Sequence, residues 1–220
     1  MNQFRLDLDA KRCAEAHQDA HCGKMLLELV QQLCTAFPRP THVFDLKLAP
    51  WADLSPETRI EINVLPYDRT KAQYSNPVCV WTRATRANFD NTVELAQALA
   101  AEYRYRKGKP HGSEAALDWV VRHQAEAQVP DGPLQPFVLA MPDEYVPSNL
   151  YWFGVLDYDP TTGTEMSDAG KRPMPEYAIA AYRAYYRAEK RGYWRKSRDP
   201  AMFPTWVPAK WTKRDPPDWF

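Results

Sequence analysis

The chain has 220 residues, enough for one domain with a substantial core. Hydrophobic residues make up 45%, charged residues 25% and aromatics 13%, which excludes wholesale disorder and fibrous repeats. The formal net charge is 0, and no apolar run approaches the roughly 18 residues that a membrane span requires.

Twenty prolines stand against eight glycines, and neither GxxxxGKS nor GxGxxG occurs. A large nucleotide-binding α/β fold is therefore disfavoured. Cys13, Cys22, Cys34 and Cys79 show no CxxC spacing and read as reduced thiols rather than a disulfide framework or zinc ribbon.

In chain order, 10–36 reads as one long helix, with Asp7 or Asp9 able to cap it and Pro38 and Pro40 ending it. Alternation over 41–48 (THVFDLKL) and 58–65 (TRIEINVL) predicts two short strands. A short helix is expected within 77–90 and a long one over 91–107, where Leu95, Leu99 and Tyr103 follow at four-residue steps. Gly108 stands where a left-handed C-terminal residue is wanted. Ser113 opens a third helix running to about Glu126, 151–158 (YWFGVLDY) reads as a strand, and Thr161-Thr162-Gly163 as a turn. Pro175 opens a fourth helix ending at Arg191, and 193–220 reads as irregular. The expected fold class is mainly α: one domain over 1–220 with a minor β element. It divides into a helical core over 1–145, an insertion over 146–175, a basic helix over 176–192 and an aromatic-rich wrapping tail over 193–220.

The zero charge conceals a split. Residues 171–220 hold 12 Lys/Arg against 5 Asp/Glu, and residues 1–170 hold 16 against 23. The basic part also carries tyrosines 177, 182, 185, 186 and 193 and tryptophans 194, 206, 211 and 219. Cations that attract phosphates, beside rings that stack on bases, point to nucleic acid. The plainer reading docks these rings on the body and leaves the charges solvated. Arg183, Arg187 and Lys190 form one stripe on the fourth helix, and Trp194 follows Gly192, placed to stack on a base.

On a single first helix, His17, His21, Lys24 and Glu28 fall within about 60° of one another, opposite Leu26, Leu29, Val30 and Leu33. Three readings stay open. The stripe is a solvated face; or it lines an active site, with Glu28 as acid or base and Lys24 as amine or phosphate contact; or His17 and His21 hold a metal at zincin-like spacing. The last lacks the general-base Glu, since position 18 is Gln, and the expectation is no metal and no cofactor. Asp19 points to the apolar side and needs a cationic partner or backbone N–H there, as an architectural anchor. A second cluster, Arg104, Arg106, Lys107, Lys109 and His111, lies at a helix C-terminus, where the macrodipole favours cations; its functional alternative is phosphate binding through Arg104, Lys109 and His111.

The pattern H-x-D-x-H-x-x-K-M-x-L-E from His17 to Glu28 resembles the opening helix of a family common in bacteriophages and large DNA viruses. Asn76-Pro77, Trp81, Asn88-Phe89, Glu102 to His111, Ala140 to Tyr145 and Ala181 to Tyr186 continue the resemblance in order. Where that family carries N-H-P, this chain has Ser75-Asn76-Pro77. The layout is similar to that of phage-type pyrimidine-dimer DNA glycosylases, which flip a nucleotide and attack the sugar C1′ with an amine. Their amine is N-terminal and needs a small second residue, whereas this chain has Asn2. The resemblance implies a DNA base-processing enzyme acting on a flipped pyrimidine. The alternatives are an amino-acid transferase acting on activated 5-hydroxymethyluracil in phage DNA, or a DNA-binding accessory protein without chemistry. The implied partner is DNA, double-stranded or locally unpaired, with no membrane, in the cytoplasm (the host's, if viral).

Overall fold

The computed structural model describes residues 2–37, 74–142, 145, 175–195 and 205–220. The strands expected over 41–48, 58–65 and 151–158, the turn at 161–163 and all of the 146–175 insertion except Pro175 lie outside the described residues.

The described chain is mainly α-helical. Its helices are α1 (Ala10–Ala16), α2 (Asp19–Cys34), α3 (Pro77–Thr82), α4 (Arg86–Lys107), α5 (Glu114–Arg122) and α6 (Pro175–Glu189). Among the described residues no helix is long and apolar enough to cross a membrane. Local chemistry starts and stops several of them. Asp9 caps α1 by accepting the Arg12 N–H at 2.8 Å. Asn76 caps α3 ahead of Pro77 by accepting the Val78 N–H at 3.0 Å. Thr85 caps α4 through the Asn88 N–H, and Gly108 ends it in the left-handed region at φ 68°. The 113–126 expectation shortens: α5 stops at Arg122, a separate 3-10 turn covers Gln124–Glu126, and the Ser113 side chain makes no capping bond.

The predicted 10–36 helix is two helices. His17 and Gln18 are both extended, with ψ of 134° and 161°. No proline or glycine causes this break; distant residues pair several of the backbone groups that it frees. Arg106 donates to the carbonyls of Glu15 at 2.9 Å and His17 at 2.7 Å. The Trp211 indole N–H donates to Ala16 at 3.0 Å. The Gln18 N–H goes to the Tyr186 hydroxyl at 2.9 Å, and the Asp19 N–H to the Lys210 carbonyl at 2.8 Å. A helix end is stable only when its orphan groups find such partners.

α2 packs on α4, which also carries α1. Leu26, Leu29, Val30 and Leu33 meet Phe89, Leu95, Ala96 and Leu99, with Leu117 and Val120 from α5 closing one side. Each buried leucine contributes about 1.5–3 kcal/mol. Tyr182 and Tyr186 of α6 are fully buried against Phe4, and Ile179 is buried beside them, so α6 is docked along one side.

The tail expected to be irregular contains an antiparallel ribbon. β1 (Gly192–Arg195) pairs with β2 (Thr205–Pro208), with Trp194 opposite Trp206. A Cβ at Gly192 would run into the Val207 carbonyl and the Trp206 ring, so the ribbon requires glycine there. Beyond β2 the chain has no helix or strand, and Trp211, Trp219 and Phe220 cluster against Tyr186. All four cysteines are buried.

Asp19 starts α2 and holds four groups. Its carboxylate accepts from Arg106 and Lys107 at 3.1 Å each, and from the Thr212 N–H at 3.0 Å and hydroxyl at 2.6 Å. Burial raises its pKa, but the Thr212, Lys107 and Arg106 bonds outweigh that and hold it at about 2. Arg106, with a fully buried side chain, also meets Glu102 at 2.6 Å. Arg106→Ala should therefore cost about 3–5 kcal/mol in chemical denaturation, and Asp19→Ala less, about 2–3 kcal/mol, because Arg106 keeps Glu102. The Asp19 contribution is present above pH 4 and lost as pH falls through about 2. Asp19→Asn should flatten that acid limb; an unchanged limb would contradict the assignment.

Candidate functional site

The helix break dissolves the single stripe. His17 lies before α2 and is fully buried. Its Nδ1–H donates to the Cys13 carbonyl at 2.7 Å, while Nε2 has no partner among the described residues. Burial pulls its pKa down to about 4. The His17–His21 pair is therefore not one i, i+4 helical pair, which removes the geometric basis of the metal reading. Among the described residues no three His, Cys, Asp or Glu side chains converge as a metal site requires.

His21 stays on α2 but faces inward. The Tyr186 hydroxyl accepts the Gln18 N–H at 2.9 Å and shares a hydrogen bond of 2.9 Å with His21 Nδ1. The ring packs on Phe4 at 5.3 Å, and burial, then the neighbouring His17 and the charges of Lys190 and Lys24, lower its pKa to about 3. Neither histidine is poised to exchange a proton near neutrality.

Lys24 and Glu28 remain at the edge of α2. The Lys24 side chain is 60% exposed, and its ammonium lies 3.6 Å from Glu28 Oε1. Glu28 is 14% exposed, and its Oε2 accepts the Asn2 N–H at 2.6 Å. One turn on, the Gln32 amide donates to the Asn2 carbonyl at 2.9 Å. Glu28 and Gln32 therefore grip both polar ends of Asn2, as a neighbouring strand would. The Asn2 side chain donates to the Ala140 carbonyl at 2.7 Å, and the Tyr182 hydroxyl bonds Val138 at 2.6 Å and Ala140 at 3.1 Å. The 138–140 segment is thereby fixed beside Glu28.

Beneath this edge lies a buried polar layer that sequence reasoning did not single out as a site. Gln3 donates to Thr92 at 3.3 Å and Thr82 to Gln32 at 3.4 Å. Asn88 donates to the Trp81 carbonyl at 2.8 Å and exchanges bonds with Gln135. Arg5 is 2% exposed beside Trp81 and Phe137. One sequence signal was available: Asn88 and Thr92 occupy the core-facing stripe that Leu95 and Leu99 continue.

The second cluster comes against the first. Gly23 leaves room for Tyr103 and His111, whose atoms a Cβ there would meet at 3.2 and 3.5 Å. His111 accepts the Ser113 N–H at 3.1 Å, and burial lowers its pKa. Arg104 pairs with Glu114, which also accepts the His111 N–H at 2.6 Å; Lys109 is exposed.

The basic stripe of α6 is partly committed to the fold. Arg183 bonds the Leu6 carbonyl at 2.7 Å and Asp7 at 2.9 Å, and Arg187 bonds the Trp219 carbonyl at 3.0 Å. Lys190 sits 4.7 Å from the Tyr185 ring centroid. Arg183 and Arg187 line, with Ile179 and Trp219, a cleft of about 410 Å³. The backbone of Trp194 belongs to β1 rather than projecting past a helix end. Arg183 is thus a docking residue of α6, while Arg187 and Lys190 lie at the outer edge of the helix.

No known protein family, no characterised protein and no solved structure matches this chain.

His17 and His21 stay neutral in the folded chain while an unfolded histidine protonates near pH 6.5. Stability should therefore be full above pH 6.5 and decline as pH falls toward 4. Imidazole NMR should show two of the five histidines silent between pH 8 and 5. Five ordinary titrations would contradict this burial.

Proposed function

We propose that this chain is a DNA base-processing enzyme of the glycosylase/lyase kind, acting on a flipped pyrimidine. The observation that carries the reading is the Lys24–Glu28–Asn2 constellation: a half-buried carboxylate held at 2.6 Å by a backbone N–H, with an exposed ammonium 3.6 Å from its other oxygen. An amine next to a carboxylate is the minimum equipment for attack on a sugar C1′. Glu28 accepts the proton that Lys24 must lose. The neutral amine then forms a C1′–N bond as the base departs with the glycosidic electron pair. Opening of the sugar ring gives an imine that water hydrolyses. The exposed cations Lys109 and Arg187 and the basic balance of 171–220 favour a polyanionic substrate.

The experiment is incubation with normal, damaged and hypermodified phage DNA, followed by nucleoside mass spectrometry and borohydride trapping. Loss of a base with a trapped protein–DNA adduct is expected. Lys24→Ala should abolish the adduct, and Glu28→Gln should slow base loss by about 10²–10⁴-fold, with folding retained. A gain of mass on a pyrimidine would instead identify amino-acid transfer by the same side chains. Saturable binding with no altered nucleoside would leave a DNA-binding accessory protein.

A further inference from the structure

Arg5 differs from Arg106, the other fully buried cation among the described residues. Arg106, equally buried, has two carboxylates and two carbonyls. Arg5 is 2% exposed, yet its Nε and Nη2 have no hydrogen-bond partner among the described residues. Its guanidinium carbon lies 4.7 Å from the Phe137 ring centroid and 5.9 Å from that of Trp81, whose indole N–H is also buried without an acceptor. Three nitrogens of one cluster, bearing four N–H groups, thus lack an acceptor among the described residues. Glu94, whose charge reaches Arg5, is exposed on α4 and makes no ion pair with it among the described residues. Burial lowers the Arg5 pKa only to about 10, so the group is a cation at neutral pH. Aromatic faces offset part of the desolvation of such a charge but offer no acceptor for in-plane N–H groups. Buried donors left unpaired in a native fold call for an unseen partner.

We propose that Arg5 and the Trp81 indole form a binding site for an oxyanion, phosphate or carboxylate, at the Trp81–Phe137 bracket. A guanidinium edge matches two oxygens of either group, and the indole N–H supplies a further donor. The surrounding side chains are already satisfied: Gln3 by Thr92, Gln32 by Asn2 and Thr82, and Asn88 by Trp81 and Gln135. They hold the bracket without competing for the anion. Phe137 is only half-buried and belongs to the 128–140 stretch, which has neither helix nor strand, so it is the wall that must shift to admit a ligand. The site does not depend on the enzymatic reading above. It would receive a nucleotide phosphate or the carboxylate of an amino acid equally well in geometry, and the two are separable by experiment.

The test is thermal unfolding of the full chain in sodium phosphate, sodium acetate and, at matched ionic strength, sodium chloride. Phosphate or acetate at millimolar concentration should raise the melting temperature by about 2–4 °C over chloride, the responding anion naming the ligand class. Arg5→Met should erase that rise and, without anion, melt no lower than the parent, because it removes an uncompensated buried charge. Trp81→Phe should keep the fold and weaken the anion effect several-fold. In the unaltered protein, the Arg5 Nε–H NMR signal should shift with the responding anion, a readout that stands even if a variant fails to fold. No rise over chloride with either anion, an unmoved Arg5 signal, or a rise that persists in Arg5→Met would overturn the site.

Discussion

The architecture depends on how the backbone is satisfied at His17–Gln18. Two extended residues interrupt what would otherwise be one helix and leave carbonyl and N–H groups facing the interior. Arg106 at the end of α4 answers two of those carbonyls while also holding Glu102 and Asp19. Each charge-assisted bond contributes about 1.5–3 kcal/mol, and leaving such groups unpaired costs more. The break is therefore held by α4, α6 and the C-terminal segment, which makes it a long-range constraint rather than a local one.

That constraint sets the geometry of the candidate site. By turning the chain before Asp19, the break sends His17 into the core and leaves Lys24 and Glu28 at an edge, with Gln32 directed to Asn2. The same junction recruits the C-terminal segment: Trp211 reaches Ala16, Thr212 reaches Asp19, and Arg214 bridges Glu15 and Glu102. Rings and cations that look free in sequence are thus partly spent on closing the fold. What stays outward is a smaller set, Lys24, Lys109 and Arg187 among it.

Locally encoded features were legible. The Asp9 cap, Pro77 after Asn76, Gly108 in the left-handed region, the Leu26–Leu33 face and the burial of Ile179, Tyr182 and Tyr186 all follow from short-range spacing. The helix break was not, because its partners lie at 106, 186, 210 and 211, and nothing within 10–36 marks it. The ribbon of β1 and β2 escaped for a related reason: strands of four residues carry almost no periodic signal, and the collision at Gly192 exists only once Val207 is opposite. Arg5 was passed over because one cation near the start of a chain ordinarily lies in solvent. Only the convergence of Trp81 and Phe137 on it shows otherwise.

The central claim is that the α2 edge built by Asn2, Lys24 and Glu28 is the face that meets DNA. A titration of ¹⁵N-labelled protein with a short duplex carrying one unpaired pyrimidine addresses it directly. The account predicts saturable shifts of the Asn2, Lys24 and Glu28 amides and of neighbours at Gly23 and His111, weakening as salt rises. Shifts confined to the C-terminal segment 205–220, with the α2 edge unmoved at saturation, would contradict it.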